Sequence, residues 1–270
     1  MKIYELINII EKTAPLNLAE SWDKSGMQVA SFREEIFHPA IMLDPLPRNI
    51  RQALDSGADF LLAHHPLTLQ PRFPDSPGDY HTVLSLLFKA DVPLYSAHTS
   101  LDCNPSGPVR WLAEEFNLRS TRLLAENGLA ALPGREEQKK YPFGFGFVGD
   151  LPLALPYAEF CRKLALVTGK NAWRSCGAKP AQVRRLACCP GSGGDLAAAA
   201  LAAGADVFIT GDLRYHAVLS GAPHMLDLGH FQLEEIMMRR FAADLDAMLS
   251  TGNIEVTFIS GSDPFIFERS

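Results

Sequence analysis

Asp59-Phe60-Leu61-Leu62-Ala63-His64-His65-Pro66 is the stretch on which the reading of this chain turns. Four apolar residues in a row, entered from an acid and stopped by His-His-Pro, are too few for a buried helix and fit a strand covered on both faces. Such strands belong to sheets flanked by helices. Working outward, Ile36 to Leu43 reads as a strand before it, with residues 47–56 as the intervening helix. Beyond it, 80–89 reads as a helix, Val92 to Ser96 as a strand that stops just before His98, and 107–117 as a helix. The alternation resumes with a helix near 156–167, a strand at Val183 to Cys188, an alanine-rich helix at 195–203 and a strand at Val207 to Thr210. A short helix near 213–219, a strand at Met225 to Leu228, a long helix at 231–249 and a strand at Ile254 to Ile259 complete it. The class predicted is α/β with mostly parallel sheets.

Between 126 and 152 glycine, proline and charge cluster and periodicity fades, which marks a candidate domain boundary. Gly57-Ala58-Asp59 before one strand has an echo in Gly204-Ala205-Asp206 before another. Two related halves would produce that echo, and so would the ordinary preferences of helix–Gly–strand junctions.

At 270 residues the chain can bury a sizeable core without covalent staples. Its formal net charge of −6 gives no overall field for collecting nucleic acid, so no nucleic-acid partner is expected. Cys103, Cys161, Cys176, Cys188 and Cys189 are odd in number and lack CxxC spacing, which fits reduced thiols better than a disulfide framework. The amino-terminal segment carries Glu5 and Glu11 within an apolar pattern, as an amphipathic helix does and a signal peptide does not. No apolar run reaches the roughly 18 to 20 residues of a membrane span. A soluble, cytoplasmic protein is expected.

The groups that carry chemistry fall just past strand ends, where open α/β sheets place ligand sites. His64 and His65 are adjacent, and in extended backbone their side chains would point to opposite sides, suited to holding one ion each. His98 and Asp102 are four apart and share a face if the chain makes one helical turn. His230 and Glu234 repeat that spacing at the start of the long helix. Four imidazoles and two carboxylates without thiolate suit Zn, Mn, Fe, Co or Ni, and do not choose among them. Two divalent ions are therefore expected, with Glu234 as the bridging carboxylate and a shared water acidified into a nucleophile. Catalytic roles are expected of Glu234, His98 and His216. The run Cys189-Pro190-Gly191-Ser192-Gly193-Gly194 lies between a strand and a helix, so Gly191, Ser192, Gly193 and Gly194 are candidate anion contacts, or simply a tight turn. Asp212 joins them as a substrate contact, with an imidazole-orienting or helix-capping role as the alternative. His38, His81 and His224 show no comparable grouping.

Several separated motifs together resemble one family, the Nif-three-like proteins, also called the GTP cyclohydrolase 1 type 2 family. They are Trp22-Asp23-Lys24-Ser25-Gly26-Met27-Gln28-Val29, Ala63-His64-His65-Pro66-Leu67, Ala97 to Asp102, Gly191 to Gly194, Ile209-Thr210-Gly211-Asp212, and Gly229-His230 with Glu234. Ser100, Cys103 and Ala30 depart from the pattern without removing a ligand. The resemblance implies two interlocked α/β domains with a dinuclear metal cleft between them, in the short form without the inserted domain, and a homohexameric ring. It also implies that His64, His65, Asp102, His230 and Glu234 occupy ligand positions, with His98 joining or adjoining them. The expected division puts residues 1–125 with about 226–270 in the first domain and about 126–225 in the second. The expected function is metal-dependent hydrolysis of a nucleotide or phosphorylated small molecule, GTP cyclohydrolase chemistry included. The alternative is a non-catalytic metal-binding regulatory or scaffold protein.

Overall fold

A computed structural model describes residues 1–132, 134–136, 138–219, 223–250 and 253–266. It begins with helix α1 (Ile3–Thr13), strands β1 (Gly26–Val29) and β2 (Pro39–Met42), helix α2 (Pro47–Asp55) and strand β3 (Phe60–Ala63). Helix α3 (Asp79–Ala90), strand β4 (Leu94–Ser96), the single-turn helix α4 (Thr99–Asp102) and helix α5 (Trp111–Glu115) follow. Next come strands β5 (Arg119–Ala130) and β6 (Tyr141–Pro156), helix α6 (Tyr157–Thr168), and strands β7 (Arg174–Cys176) and β8 (Gln182–Cys188). Helix α7 (Ala197–Ala202), strands β9 (Val207–Thr210) and β10 (His224–Asp227), helix α8 (His230–Leu249) and strand β11 (Thr257–Ile259) end the chain.

These residues form two compact units, one of 1–101, 132–137 and 238–262, the other of 102–131, 138–237 and 263–270. The first holds a five-stranded sheet in the order β1-β4-β3-β2-β11, parallel except for the β1–β4 edge. Its central strands β2 and β3 are buried at every position, as the apolar runs require. Met42, Leu61, Ala63, Val83, Leu94 and Ile259 belong to its core.

The second unit holds a six-stranded sheet in the order β5-β6-β8-β9-β10-β7. Only β8–β9 and β9–β10 are parallel there. The antiparallel majority comes from a long β5–β6 hairpin where the sequence shows only weak periodicity. Its register shifts between Arg119 and Arg122 and again between Glu126 and Gly128, and such bulges erase the two-residue alternation by which a strand is recognised. β5 pairs with this sheet, and the chain passes from one unit to the other at residues 101 and 102. Phe208, Ala187, Ala200, Val148 and Met225 lie in its core. Two helices are shorter than their patterns suggest: 107–117 is a 3-10 turn (Pro108–Arg110) leading into α5, and 213–219 is a 3-10 turn (Tyr215–Val218).

The Gly-Ala-Asp echo has a physical basis inside each unit. Gly57 and Gly204 take left-handed backbone (φ 86° and 73°) after α2 and α7, a conformation that favours glycine. The aspartate two residues on then binds two successive amides of the neighbouring strand. Asp59 accepts from the Phe37 and His38 N–H groups at 2.8 Å each, and Asp206 accepts from those of Arg184 and Arg185, also at 2.8 Å.

No disulfide joins the cysteines, and Cys103, Cys188 and Cys189 are buried. Among the described residues no helix is long and apolar enough to cross a membrane.

Leu61 is fully buried in the strand that delivers His64. Leu61→Ala should cost about 2–5 kcal/mol, read as a lowered midpoint in thermal or denaturant unfolding.

Candidate metal centre

In the first unit β3 ends at Ala63 and the chain bends at His64 and His65. The bend removes the strand alternation, and the two rings come together, their centroids 5.0 Å apart, instead of pointing to opposite sides. His98, delivered by the end of β4, stands 5.2 Å from the ring of His64 and 5.6 Å from that of His65. One ligand atom from each of the three lies within 4.8 Å of the others, a spacing that fits imidazoles gathered on a cation.

Each of these rings is held at Nδ1. His64 Nδ1 is 2.7 Å from the Ala97 carbonyl oxygen, His65 Nδ1 is 2.7 Å from Asp44 Oδ1, and His98 Nδ1 is 2.7 Å from Asp23 Oδ1. A carbonyl or carboxylate oxygen only accepts, so Nδ1 carries a proton, and in the neutral ring the lone pair is then on Nε2. That tautomer and orientation are what a metal-ligating histidine adopts.

Asp23 is itself anchored by several donors. It accepts from the Ser25 hydroxyl at 2.6 Å, the Thr99 hydroxyl at 2.6 Å and the Thr99 amide at 3.1 Å. Burial pushes its carboxyl up, but the bonds from His98, Ser25 and Thr99 outweigh burial and hold it well below the usual carboxylate range. Ser96 Oγ donates to the His64 carbonyl at 2.8 Å and fixes the bend.

In the second unit α8 starts at His230, and β9 ends at Thr210. His230 Nδ1 lies 2.8 Å from Asp212 Oδ2, the same arrangement as in the first unit. Asp212 has φ 53°, unusual for a residue with a side chain, and this turn aims its carboxylate at the imidazole. It does not cap the following 3-10 turn, whose capping position is Arg214. His230 Nε2 faces Glu234 Oε2 at 2.7 Å, and Glu234 is only 4% exposed. In the neutral ring a nitrogen lone pair faces a buried carboxylate, an arrangement that a cation shared by the two atoms, like a proton on Nε2, turns into attraction.

Asp102, at the end of α4, confirms the single helical turn its spacing suggested. Burial raises the Cys189 thiol, and the charges of Asp102 and Glu234 raise it further, so both carboxylates act at one place in this unit.

The glycine run serves this carboxylate more directly than it serves an anion. A Cβ added at Gly191 (φ 70°) would run into Glu234 Oε1, and His230 Nε2 would lie 3.7 Å away. The Gly193 amide is occupied by Thr210 Oγ1 at 2.9 Å, and the Gly191 carbonyl accepts from the Gly211 amide at 2.9 Å. Ser192 is part of the same turn, and Gly194 opens a 3-10 helix (Gly194–Leu196) that leads into α7. His216 sits exposed on the 3-10 turn with its ring edge-on to Tyr215, centroids 5.3 Å apart, and does not join the donor groups. His38 bonds Thr257, and His224 bonds Tyr157, so neither belongs to the site.

Asp23, Asp44 and Asp227 were not read from the sequence as site residues. Asp227 accepts from the Leu213 amide at 3.1 Å and the Gly229 amide at 3.0 Å, and pairs with Arg174, which fixes the approach to His230. Trp22-Asp23 lay inside a quoted motif, but nothing local shows that its partner is 75 positions away.

Comparison with known proteins agrees with the motifs. The profile of the Duf34/NIF3 family (NGG1p interacting factor 3) matches residues 1–264. A protein of Clostridium perfringens named GTP cyclohydrolase 1 type 2 homolog is 29% identical over 271 residues, covering 99% of this chain and 100% of that one. A protein of the same name in Streptomyces coelicolor is 31% identical over 252 residues, covering 91% and 86%. Among solved structures, a Bacillus cereus protein related to NIF3 superposes with a TM-score of 0.88 at 21% identity, covering 99% of each chain. Reduced HcgD from Methanocaldococcus jannaschii does so with a TM-score of 0.78 at 29% identity, covering 96% and 98%.

Two substitutions probe the geometry without touching a ligand atom. Asp44→Asn and Asp23→Asn should each weaken divalent-ion binding about 10- to 100-fold, measured by calorimetric titration of chelator-treated protein. Unchanged affinity in both would mean that the Nδ1 bonds do not orient metal ligands.

Proposed function

Because the chain belongs to the Duf34/NIF3 family, we propose that it is a metal-dependent hydrolase acting on a nucleotide or phosphorylated small molecule. In this reading two divalent ions are held by His64, His65 and His98 of the first unit and by Asp102, His230 and Glu234 of the second. The observation that carries it is the Nδ1 bonding of His64, His65, His98 and His230, each to an oxygen that only accepts. His224 also bonds a carbonyl through Nδ1 but spends its Nε2 on Tyr157, whereas gathered imidazoles that share one tautomer are what metal binding asks for.

Bound divalent ions supply Lewis acidity and make water a nucleophile near neutral pH. The chain supplies the rest. Asp44, Asp23, Asp212 and the Ala97 carbonyl keep the protons on Nδ1, so every imidazole presents Nε2. Glu234, buried beside His230, is the carboxylate placed to take up a proton from water during attack. His64, fully buried, keeps bulk water off the inner side of its cluster.

The relatives' shared name supports purine-ring hydrolysis as one form of this chemistry, with formate released from GTP. A ring-shaped homohexamer belongs to the same proposal.

Metal analysis of purified protein should find about two divalent ions per chain. His65→Ala and Glu234→Ala should each lower that stoichiometry while circular dichroism stays native. Retained stoichiometry in both would refute the ligand assignment. Metal-replete protein that releases no formate from GTP, and hydrolyses no member of a nucleotide and phosphoester panel, would leave a metal-binding scaffold.

A further inference from the structure

We propose that a pocket in the second unit, beside Asp102, is an oxyanion site that receives a phosphoryl group of the substrate. The pocket encloses about 60 Å³ and is lined in part by Asp102, Arg110, Thr121, Arg122, Gly144 and Phe147. A water needs about 10–15 Å³ of such space, so the recess has room for a tetrahedral oxyanion.

Its charge is unbalanced. Arg110 is partly buried, yet its guanidinium donates only to neutral oxygens, the Pro105 carbonyl at 3.1 Å and the Thr121 hydroxyl. Among the described residues neither Arg110 nor Arg122 forms an ion pair. Arg122 is exposed, but Arg110 is half-buried, and a guanidinium removed from water ordinarily finds an anion, because desolvation without a partner is costly. Thr121 Oγ1 accepts from Arg110, which leaves its own O–H to donate into the pocket. Asp102 is the acidic residue of the lining, and the two guanidinium groups outnumber its single charge with or without a metal ion. What remains is a positive recess with a forked donor, the geometry that binds phosphoryl oxygens through paired charge-assisted bonds.

This assignment moves the anion site away from the glycine run. An anion there would meet the buried Glu234 carboxylate, and the Gly193 amide is already used by Thr210. The arginine pocket instead stands beside Asp102, so a substrate held by its phosphoryl end would have its reacting part near the metal ligands of that unit.

The inference rests on the hydrolase reading only for the word substrate; the binding itself is tested without metal. Inorganic phosphate is titrated into chelator-treated full-length protein and followed by calorimetry and phosphorus NMR line width. Millimolar or tighter binding is expected, weakened about tenfold or more in Arg122→Ala and partly retained in Arg122→Lys. Arg110→Gln should weaken it similarly, with a thermal melt to confirm folding, since Arg110 also ties Pro105 to Thr121. Glu234→Ala should leave metal-free phosphate binding unchanged while losing metal. The proposal is overturned if wild-type protein binds no phosphate, if Arg122→Ala binds it like wild type, or if binding appears only with metal and vanishes in Glu234→Ala. Acetate that displaces phosphate at equal concentration would overturn the phosphoryl assignment. Failure of hydrolysis with intact phosphate binding would sink the enzyme and leave the pocket.

Discussion

An imidazole whose Nδ1 is bonded to an oxygen that can only accept has one nitrogen left to offer, and four histidines of this chain are fixed in that condition. The rest of the site follows from it. Asp44 sets His65, Asp23 sets His98, Asp212 sets His230, and the Ala97 carbonyl sets His64. Rotamer freedom that metal binding would otherwise have to remove is already removed by folding. Asp23 shows how firmly this is done, for it accepts from two hydroxyls and an amide besides the imidazole. An anchor with so many donors is held as a carboxylate, and so stays an acceptor for His98 Nδ1.

The second unit reaches the same end by a different route. Its carboxylate is on the helix itself, one turn beyond the histidine, and the backbone of the glycine loop is pressed against it. A side chain at position 191 would occupy the space of Glu234 Oε1, so the loop is glycine for reasons of volume. An anion-cradling loop would present its amides outward. Here the Gly193 amide turns inward to Thr210, which makes the loop a support for the acid.

Much of this was legible beforehand, and the pattern of what was not is instructive. Strand ends at Ala63, Ser96 and Thr210 could be read because each apolar run stops abruptly at polar residues. Ligand spacing could be read because an i,i+4 pair at a helix start needs no tertiary knowledge. The bend that gathers His64 with His65 could not, since it depends on Ser96 and Ala97 of another strand. Asp23 and Asp44 were equally hidden, because their partners are 75 and 21 positions away. The β5–β6 hairpin was missed for a local reason: Gly144, Gly146 and Gly149 interrupt its alternation while allowing close approach of neighbouring backbone.

The repeated Gly-Ala-Asp junction connects the fold to the site. Asp59 clamps the amide of His38, which locks the entrances of β3 and β2 level with each other. Parallel strands advance at the same rate, and past their ends the His64 and His65 amides still bond the Met42 and Leu43 carbonyls, so six residues on His65 and Asp44 are again level, and the imidazole meets its acceptor at 2.7 Å. A slip of one residue at the entrance would move Asp44 by about 3.3 Å and turn its side chain to the other face. Asp206 clamps β8 to β9 in the same way, and the exits of those strands are the glycine loop and Thr210-Gly211-Asp212. Two related ancestors are not needed to explain the echo. Each sheet faces the same problem, which is to bring polar groups from two strand ends to one height, and an acid at the entrance that holds two amides of its neighbour is a short way to solve it.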